Sequence, residues 1–245
     1  MRTQTNNTAI KLTSVSKRYT IHHEKPTLVE YLIKGRNEEF WALKDINLKI
    51  KKGEKVGIIG PNGSGKTTLL KIIAGITSPT SGSIETYGKI VSLIDLEAGF
   101  HPDLTGVDNV YLNGMLLGIR KKEISNVLKS IISFADIGQF IDAPLFTYSE
   151  GMKLRLGFSI AIYADPDILI LDEGVGAGDI NFRTKSSFKI RDFISRGKTV
   201  IIVTHWLDFI KKNCEKILLI DHGKINKIGK SEVIDNYIQK QTNDH

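Results

Sequence analysis

Alternating and continuous runs of apolar residues predict strands separated by helices along this chain. Residues 9–15 and 42–50 mix apolar and polar side chains over short stretches, a pattern that we interpret as strands. Residues 168–171 are four consecutive apolar residues, a pattern that favours a strand buried on both faces. Between residues 106 and 151 the apolar positions recur at helical spacing instead. Strands that alternate with helices indicate an α/β fold, with helices on both faces of a parallel sheet.

The same patterns predict the remaining elements. They are a strand at 55–59, a helix at 66–74, a hairpin at 82–94, helices at 152–163 and 182–196, a strand at 200–204, a helix at 206–213 and a hairpin at 217–228. Residues 20–40 are polar with scattered apolar positions, and we interpret them as an insertion that can hold a short amphipathic helix. No linker or internal repeat divides the chain, so residues 1–245 are expected to form a single domain.

Composition and charge narrow the class of protein. No apolar run reaches the length of a membrane helix and the N-terminus lacks a signal-peptide core, so we expect a cytosolic protein. The single cysteine, Cys214, excludes an internal disulfide and is interpreted as a plain helix residue. The net charge of +7 leaves two interpretations open: solvated lysines, or a basic surface beside anionic lipid. The chain has no arginine-rich run, basic aromatic strand or zinc spacing, which argues against nucleic acid as a partner.

A glycine-rich turn follows the strand at 55–59 and opens the next helix. Its residues match G-x-x-x-x-G-K-[ST] in full: Gly60, Pro61, Asn62, Gly63, Ser64, Gly65, Lys66 and Thr67. Glycines let backbone N–H groups point inward at phosphate oxygens, and the helix adds its positive N-terminal end. Lys66 is predicted to contact the β- and γ-phosphates, Thr67 to ligate Mg²⁺, and Thr68 to add a phosphate contact. The sequence therefore predicts a site for ATP and Mg²⁺.

Two carboxylates follow the buried strand at 168–171. P-loop NTPases hold Mg²⁺ with an acid at the C-terminal end of such a strand, and Asp172 has this position. Glu173 is predicted to be the general base that polarises the attacking water. A solvated strand end is the alternative, but the presence of the glycine-rich turn favours the catalytic interpretation.

With these motifs, the chain resembles the ABC (ATP-binding cassette) ATPases over essentially its whole length. Tyr148-Ser149-Glu150-Gly151-Met152 occupies the place of the family's L-S-G-G-Q signature, and Ser149 and Gly151 agree with it. The resemblance implies that these two residues bind the γ-phosphate held by a second copy of the chain. Glu150 is not carried over, because a carboxylate beside a phosphate is unfavourable. The implied fold is a P-loop NTPase ABC nucleotide-binding domain with a mixed sheet core, an antiparallel β subdomain and an α-helical signature subdomain at about 97–165.

Further positions are carried over from the same resemblance. His205, after a predicted strand, resembles the switch histidine that contacts the γ-phosphate, and Asp179 resembles the loop aspartate that signals across the dimer. Tyr19 resembles the aromatic residue that stacks on adenine; core packing is the alternative for it. The family's glutamine between the glycine-rich turn and the signature is absent, and either Asp95 or Glu97 is expected to replace it near Mg²⁺.

Within the family, the chain resembles the exporters of bacterial surface polysaccharides, namely O-antigen, capsule and teichoic acid. The resemblance rests on Ala98-Gly99-Phe100, Leu104-Thr105-Gly106, Asp108-Asn109, Tyr148 to Met152, Asp165-Pro166-Asp167-Ile168, Gly178-Asp179 and the insertion between Tyr19 and Trp41. It implies a homodimeric ATPase at the cytoplasmic face of the inner membrane. Its partner would be an integral membrane permease that moves a lipid-linked polysaccharide, and O-antigen is the first candidate for this polysaccharide. A short form without a C-terminal carbohydrate-binding domain is expected.

Three other functions stay open at this point. One is the ATPase of a drug or lipid exporter. Another is a soluble ABC ATPase of DNA repair or translation, which usually carries coiled-coil insertions or two cassettes, and this chain shows neither pattern. The last is a regulatory module without catalysis, against which the set of Lys66, Asp172, Glu173 and His205 argues.

Overall fold

The computed structural model describes residues 7–21, 38–172, 180–204 and 206–243. Its strands are β1 (Thr8–Ile21), β2 (Glu38–Lys51), β3 (Lys55–Ile59), β4 (Ser81–Thr86), β5 (Ile90–Ser92), β6 (Ile168–Leu171), β7 (Thr199–Val203), β8 (Lys216–Asp221) and β9 (Lys224–Gly229). Its helices are α1 (Lys66–Ile73), α2 (Gly106–Leu116), α3 (Lys121–Ala135), α4 (Glu150–Tyr163), α5 (Ile180–Ser195), α6 (Leu207–Asn213) and α7 (Glu232–Asn243), with short 3-10 helices at Gly138–Asp142 and Leu145–Thr147. Among the described residues, no helix is long and apolar enough to span a membrane.

The strands form a three-stranded antiparallel sheet and a six-stranded mixed sheet, and the chain divides into two compact units. The first unit contains the described residues up to Lys51, residues 58–87 and those from Lys216 onward. In it β2, β1 and β4 form the antiparallel sheet in that order, and β8 pairs with β9 as the predicted hairpin. The predicted strand at 42–50 lies within β2, where Ile46, Leu48 and Ile50 are buried and the residues between them are exposed.

The ends of the predicted insertion at 20–40 differ from the expectation. β1 continues to Ile21 and β2 already begins at Glu38. Thr20 pairs with Glu39, and Ile21 with Glu38, so both ends of the segment are strand. Cross-strand pairing extends both strands into the ends of this segment, and the insertion itself stays a prediction. Residues 22–37, which carry the rest of the insertion, lie outside the described residues.

The second unit contains residues 52–57 and the described part of residues 88–215. Its strands β5, β6 and β7 run parallel in that order, and all four residues of β6 are buried, as their continuous apolar run predicted. The predicted hairpin at 82–94 is wrong, because β4 pairs antiparallel with β1 whereas β5 pairs parallel with β6. Local sequence indicates strand character, but long-range packing selects the partner strand.

An aromatic cluster stabilises the helical part of the second unit. Phe134 of α3, Phe158 of α4 and Phe182 of α5 are buried, with ring centroids 5.5 to 6.0 Å apart. Aromatic rings at such distances gain stability beyond the area they bury. The cluster therefore fixes α4, whose N-terminal turn carries the signature residues. A single domain over residues 1–245, with a helical subdomain near 97–165, stays a prediction.

Candidate nucleotide-binding site

The glycine-rich turn lies in the first unit, after β3. Gly60, Gly63 and Gly65 have φ angles of 146°, 75° and 108°, which side chains other than hydrogen rarely allow. An alanine Cβ at Gly60 would lie 2.0 Å from the carbonyl oxygen of Ile220, and one at Gly65 would lie 2.5 Å from that of Ala42. These two glycines are thus required by the backbones of β8 and β2, whereas Gly63 meets nothing within 4 Å.

Lys66 and Ser64 direct polar groups into this turn. Nζ of the buried Lys66 donates hydrogen bonds to the carbonyl oxygens of Gly60 at 2.8 Å and Pro61 at 2.9 Å, which holds the ammonium over the turn. Oγ of Ser64 is buried and has no hydrogen-bond partner among the described residues. A buried ammonium and an unpaired hydroxyl in one curled backbone fit an anionic ligand such as a triphosphate. Thr67, which is exposed, and Thr68, which is half-buried, follow in the first turn of α1.

Tyr19 is exposed near the end of β1 and is directly opposite Phe40 of β2. Its 40% exposure fits a stacking surface better than core packing. Sequence reasoning missed Phe40 and Trp41, which are also exposed. Trp41 is the neighbour in sequence of Ala42, whose carbonyl oxygen would lie 2.5 Å from a Cβ at Gly65. The signal in the sequence was the pair Phe40-Trp41 just before the buried residues of β2.

The signature residues lie at the N-terminus of α4 in the second unit. Ser149 is the N-cap, and its Oγ accepts a hydrogen bond from the N–H of Met152 at 3.3 Å. Gly151 has no positive φ, and an added Cβ would meet only Oγ of Ser149, at 4.0 Å. Nothing within the described chain explains a glycine there, and the small residue fits the close approach of another molecule. Glu150 bonds to Nζ of Lys153 at 2.8 Å instead of remaining an isolated carboxylate.

Tyr148, the first residue of the signature segment, is a structural residue. Its buried ring directs the hydroxyl to the carbonyl oxygen of Phe140 at 2.5 Å, and burial raises the pKa of Tyr148 to about 12. An alanine Cβ at Gly106 would lie 2.2 Å from this hydroxyl, so Gly106 at the start of α2 makes room for the tyrosine. The departure from the family's leucine is therefore compensated by a glycine elsewhere in the same unit.

The metal-binding carboxylate is predicted one residue beyond β6. Asp172 follows Leu171, and the parallel pairing of β6 with β5 and β7 places it at the carboxyl edge of these strands, half-exposed. The predicted residues Glu173, Asp179 and His205 lie outside the described residues. Cys214, at the end of α6, is half-buried, and desolvation of its thiol raises the pKa of Cys214 to about 12, which argues against a nucleophile.

Of the two candidates for the missing glutamine, Asp95 is exposed, whereas Glu97 is half-buried and contacts α4. Oε2 of Glu97 is 3.9 Å from Nζ of Lys153. Burial and the charge of Glu150 raise the pKa of Glu97, while Lys153 opposes this rise. The structure thus associates Glu97 with the signature helix, a contact that sequence reasoning missed.

Comparison with known proteins decides the family. Residues 43–176, which span the glycine-rich turn, the signature segment and Asp172, match the family described as ABC transporter. The chain belongs to the ABC transporter family. This ABC ATPase is 40% identical over 235 residues to the O-antigen export system ATP-binding protein RfbB of Klebsiella pneumoniae, covering 92% of this chain and 95% of that one. It is 38% identical over 249 residues to the teichoic acids export ATP-binding protein TagH of Listeria innocua, covering 98% and 74%.

A solved structure supports the same assignment. The dimeric, post-hydrolysis ATP-binding cassette MJ0796 bound to ADP and Pi superposes on this ABC ATPase with a TM-score of 0.72 and 25% identity, over 91% of this chain and 98% of that one. The predicted fold, with its mixed sheet, antiparallel sheet and helices, is therefore confirmed. As a member of this family, the chain binds and hydrolyses ATP. The roles of the individual site residues stay predictions.

Proposed function

We propose that this chain powers the export of a lipid-linked polysaccharide across the bacterial inner membrane. The first candidate for this polysaccharide is O-antigen. The observation that carries the proposal is the 40% identity to an O-antigen export ATP-binding protein over 95% of that protein's length. Teichoic acid export is the second candidate, because the similarity to TagH is nearly as high. Both candidates require an ATPase coupled to the transport of a surface polymer, which distinguishes them from the exporters of drugs or simple lipids.

In the proposed ATP hydrolysis, each of several groups of this chain would contact a different part of the nucleotide or the attacking water. Tyr19 would stack on adenine, and Lys66 with the N–H groups of the turn from Gly60 to Gly65 would neutralise the phosphates. Glu173 would accept the proton of the attacking water, and His205 would contact the γ-phosphate. The roles of Lys66 and the turn are supported by the geometry of the glycine-rich turn. The roles of Glu173 and His205, which lie outside the described residues, come from the sequence alone.

Magnesium fits the donors that the described residues offer. No group of three or more histidine, cysteine, aspartate or glutamate residues among them forms a metal cage. Mg²⁺ characteristically uses one or two protein oxygens together with substrate phosphates and water, and Thr67 and Asp172 offer a hydroxyl and a carboxylate. When bound, the ion supplies positive charge to the β- and γ-phosphates.

We further propose that two copies of the chain share their sites and attach to an integral membrane permease at the cytoplasmic face. Ser149, Gly151 and Asp179 of one copy would act at the nucleotide held by the other, so that hydrolysis opens the dimer. The second unit exposes large apolar side chains that a permease can cover: Leu104, Met115, Leu116, Phe140 and Phe146. Backbone hydrogen bonds from Leu145 to Leu104 and from Phe146 to Pro102, both 2.9 Å, hold part of this surface together.

Deletion of the gene in the organism that encodes it tests the cargo. The expected result is loss of surface polysaccharide with accumulation of the lipid-linked form inside the cell, restored by the wild-type gene. A Lys66→Ala gene should fail to restore export, because the charge at the phosphates is lost. Unchanged surface polysaccharide would refute polysaccharide export, and accumulation of teichoic acid precursors would favour the second candidate.

The enzymatic part has its own test. Purified Glu173→Gln protein is expected to bind ATP and to dimerise with it, while turnover falls by roughly a hundredfold or more, because general-base catalysis contributes about that much. Turnover near the wild-type rate would contradict the assignment of the base, without affecting the family assignment.

A further inference from the structure

One charged cluster joins two segments of the second unit that the nucleotide chemistry does not explain. Nζ of Lys153, in the first turns of α4, lies 2.8 Å from Oε1 of Glu150 and 3.9 Å from Oε2 of Glu97. Glu150 belongs to the same end of the helix, whereas Glu97 belongs to the segment 93–100, where the family's glutamine is absent. Lys153 therefore connects the signature helix to a segment that is distant in sequence.

The backbone of the segment 93–100 lies directly on the same face of α4. Gly157 follows Lys153 by four residues, and helical residues at this spacing share a face. An alanine Cβ at Gly157 would lie 2.4 Å from the carbonyl oxygen of Leu96 and 3.0 Å from its Cβ. Gly157 therefore permits a close contact that a larger residue would prevent, next to the point where Glu97 meets Lys153.

The ammonium of Lys153 affects the pKa values of both carboxyl groups in this cluster. Burial, Glu150 and, to a lesser degree, Asp95 raise the pKa of Glu97, and Lys153 is the group that opposes them. The hydrogen bond from Lys153 also lowers the pKa of Glu150. The Lys153 side chain is only 22% exposed, so its charge is screened less by water than that of Glu150, at 81%. Without this ammonium, the carboxyl groups of Glu97 and Glu150 keep only the hydrogen bond between them, which requires a proton on Glu97, and lose the ion pairs that connect the segment to the helix.

We infer that Lys153 is a positioning residue, which fixes the first turn of α4 against the segment 93–100 by pairing with Glu97 and Glu150 together. Ser149 caps this turn and Gly151 lies within it, so a shift of the turn moves both. The inference rests on the proposed action of Ser149 and Gly151 at the nucleotide of a second copy. A displacement of about one ångström can cost up to roughly a hundredfold in rate, so a loose turn is expected to slow hydrolysis.

The first test compares Lys153→Met with Lys129→Met, which changes an exposed lysine of α3. Lys153→Met is expected to lower kcat roughly three- to tenfold, the size of effect that a partly exposed ion pair can carry. The affinity of the chain for a fluorescent ATP analogue should stay unchanged, since the glycine-rich turn, Lys66 and Tyr19 are intact. The control should change neither quantity. A kcat of Lys153→Met equal to that of the control would overturn the inference.

Charge reversal separates positioning from simple damage. Lys153→Glu alone gathers three carboxylates and should lower kcat further, whereas adding Glu150→Lys returns a cation to the cluster and should recover much of the loss. Absence of recovery would refute the pairing with Glu150. If Lys153→Met fails to fold, Glu150→Gln decides, because it removes the shorter of the two ion pairs and leaves Glu97, a candidate group near Mg²⁺, unchanged: reduced kcat supports the inference and unchanged kcat overturns it. Lys66→Ala is the control for the proposed function. If the wild-type protein shows no more ATPase activity than Lys66→Ala, the proposed function is refuted instead of the inference about Lys153.

Discussion

The glycine-rich turn allows a paired test, because Gly60 and Gly63 share one motif but have different surroundings. Both have positive φ angles, 146° and 75°. A Cβ at Gly60 would approach the carbonyl oxygen of Ile220 to 2.0 Å, whereas a Cβ at Gly63 would meet nothing within 4 Å. Replacement of each by alanine therefore separates the cost of a steric clash from the cost of backbone strain alone.

The expected magnitudes differ. Alanine at Gly63 adds strain of about 1–2 kcal/mol to the folded state, because the residue is left-handed. Alanine also lowers the conformational entropy of the unfolded chain, which stabilises the folded state by about 0.4–1 kcal/mol. Its net loss of unfolding free energy should thus be about 0–1.6 kcal/mol. At Gly60 the backbone lies in a region that is essentially restricted to glycine, at a cost of about 1–3 kcal/mol. Displacement of the β8 backbone adds about 1–3 kcal/mol. After the same gain from the unfolded chain is subtracted, a loss centred at about 3 kcal/mol is expected, within a range of about 1–5.6 kcal/mol.

Urea unfolding of the two variants and the wild type measures these losses, and binding of a fluorescent ATP analogue reports on the turn itself. Gly60→Ala should lower the unfolding midpoint clearly and abolish binding, because displacement of the turn from β8 redirects its N–H groups. Gly63→Ala should leave the midpoint close to that of the wild type. Equal losses in the two variants would refute the reasoning, since they would show that contact with Ile220 does not determine the requirement for glycine.

The remaining predictions concern the second unit. Tyr148→Phe should lower the free energy of unfolding by about 1 kcal/mol in urea, because the hydrogen bond to Phe140 is lost; an unchanged value would place the hydroxyl outside the stabilising contacts. Phe158→Ala should cost about 3–5 kcal/mol, since it removes the ring that contacts both Phe134 and Phe182, and a loss below 1 kcal/mol would contradict the packing of that cluster. At pH 8, iodoacetamide should alkylate Cys214 roughly a thousandfold more slowly in the folded than in the unfolded chain, because its pKa is raised to about 12; equal rates by mass spectrometry would show that the thiol is accessible and ionised.

The glycine-rich turn and most elements could be predicted from sequence because their signals are local. β3 and β6 have the predicted bounds, and the helix after Gly65 begins at Lys66. Ser149 became an N-cap, in keeping with the preference of serine for that position before a helix. A short motif fixes such features because the residues that determine the backbone conformation are also the ones that use it.

Contacts between distant segments were decided by tertiary structure alone. Apolar patterns predicted strands near 82–94, but not that β4 joins β1 while β5 joins β6. Glu97 could not be distinguished from Asp95 in sequence, because its contact with Lys153 depends on how closely Gly157 lets the segment 93–100 approach α4. Hydrophobic periodicity and propensity determine the local form of each element, whereas the partner of each element depends on the burial of whole faces, which no local window contains.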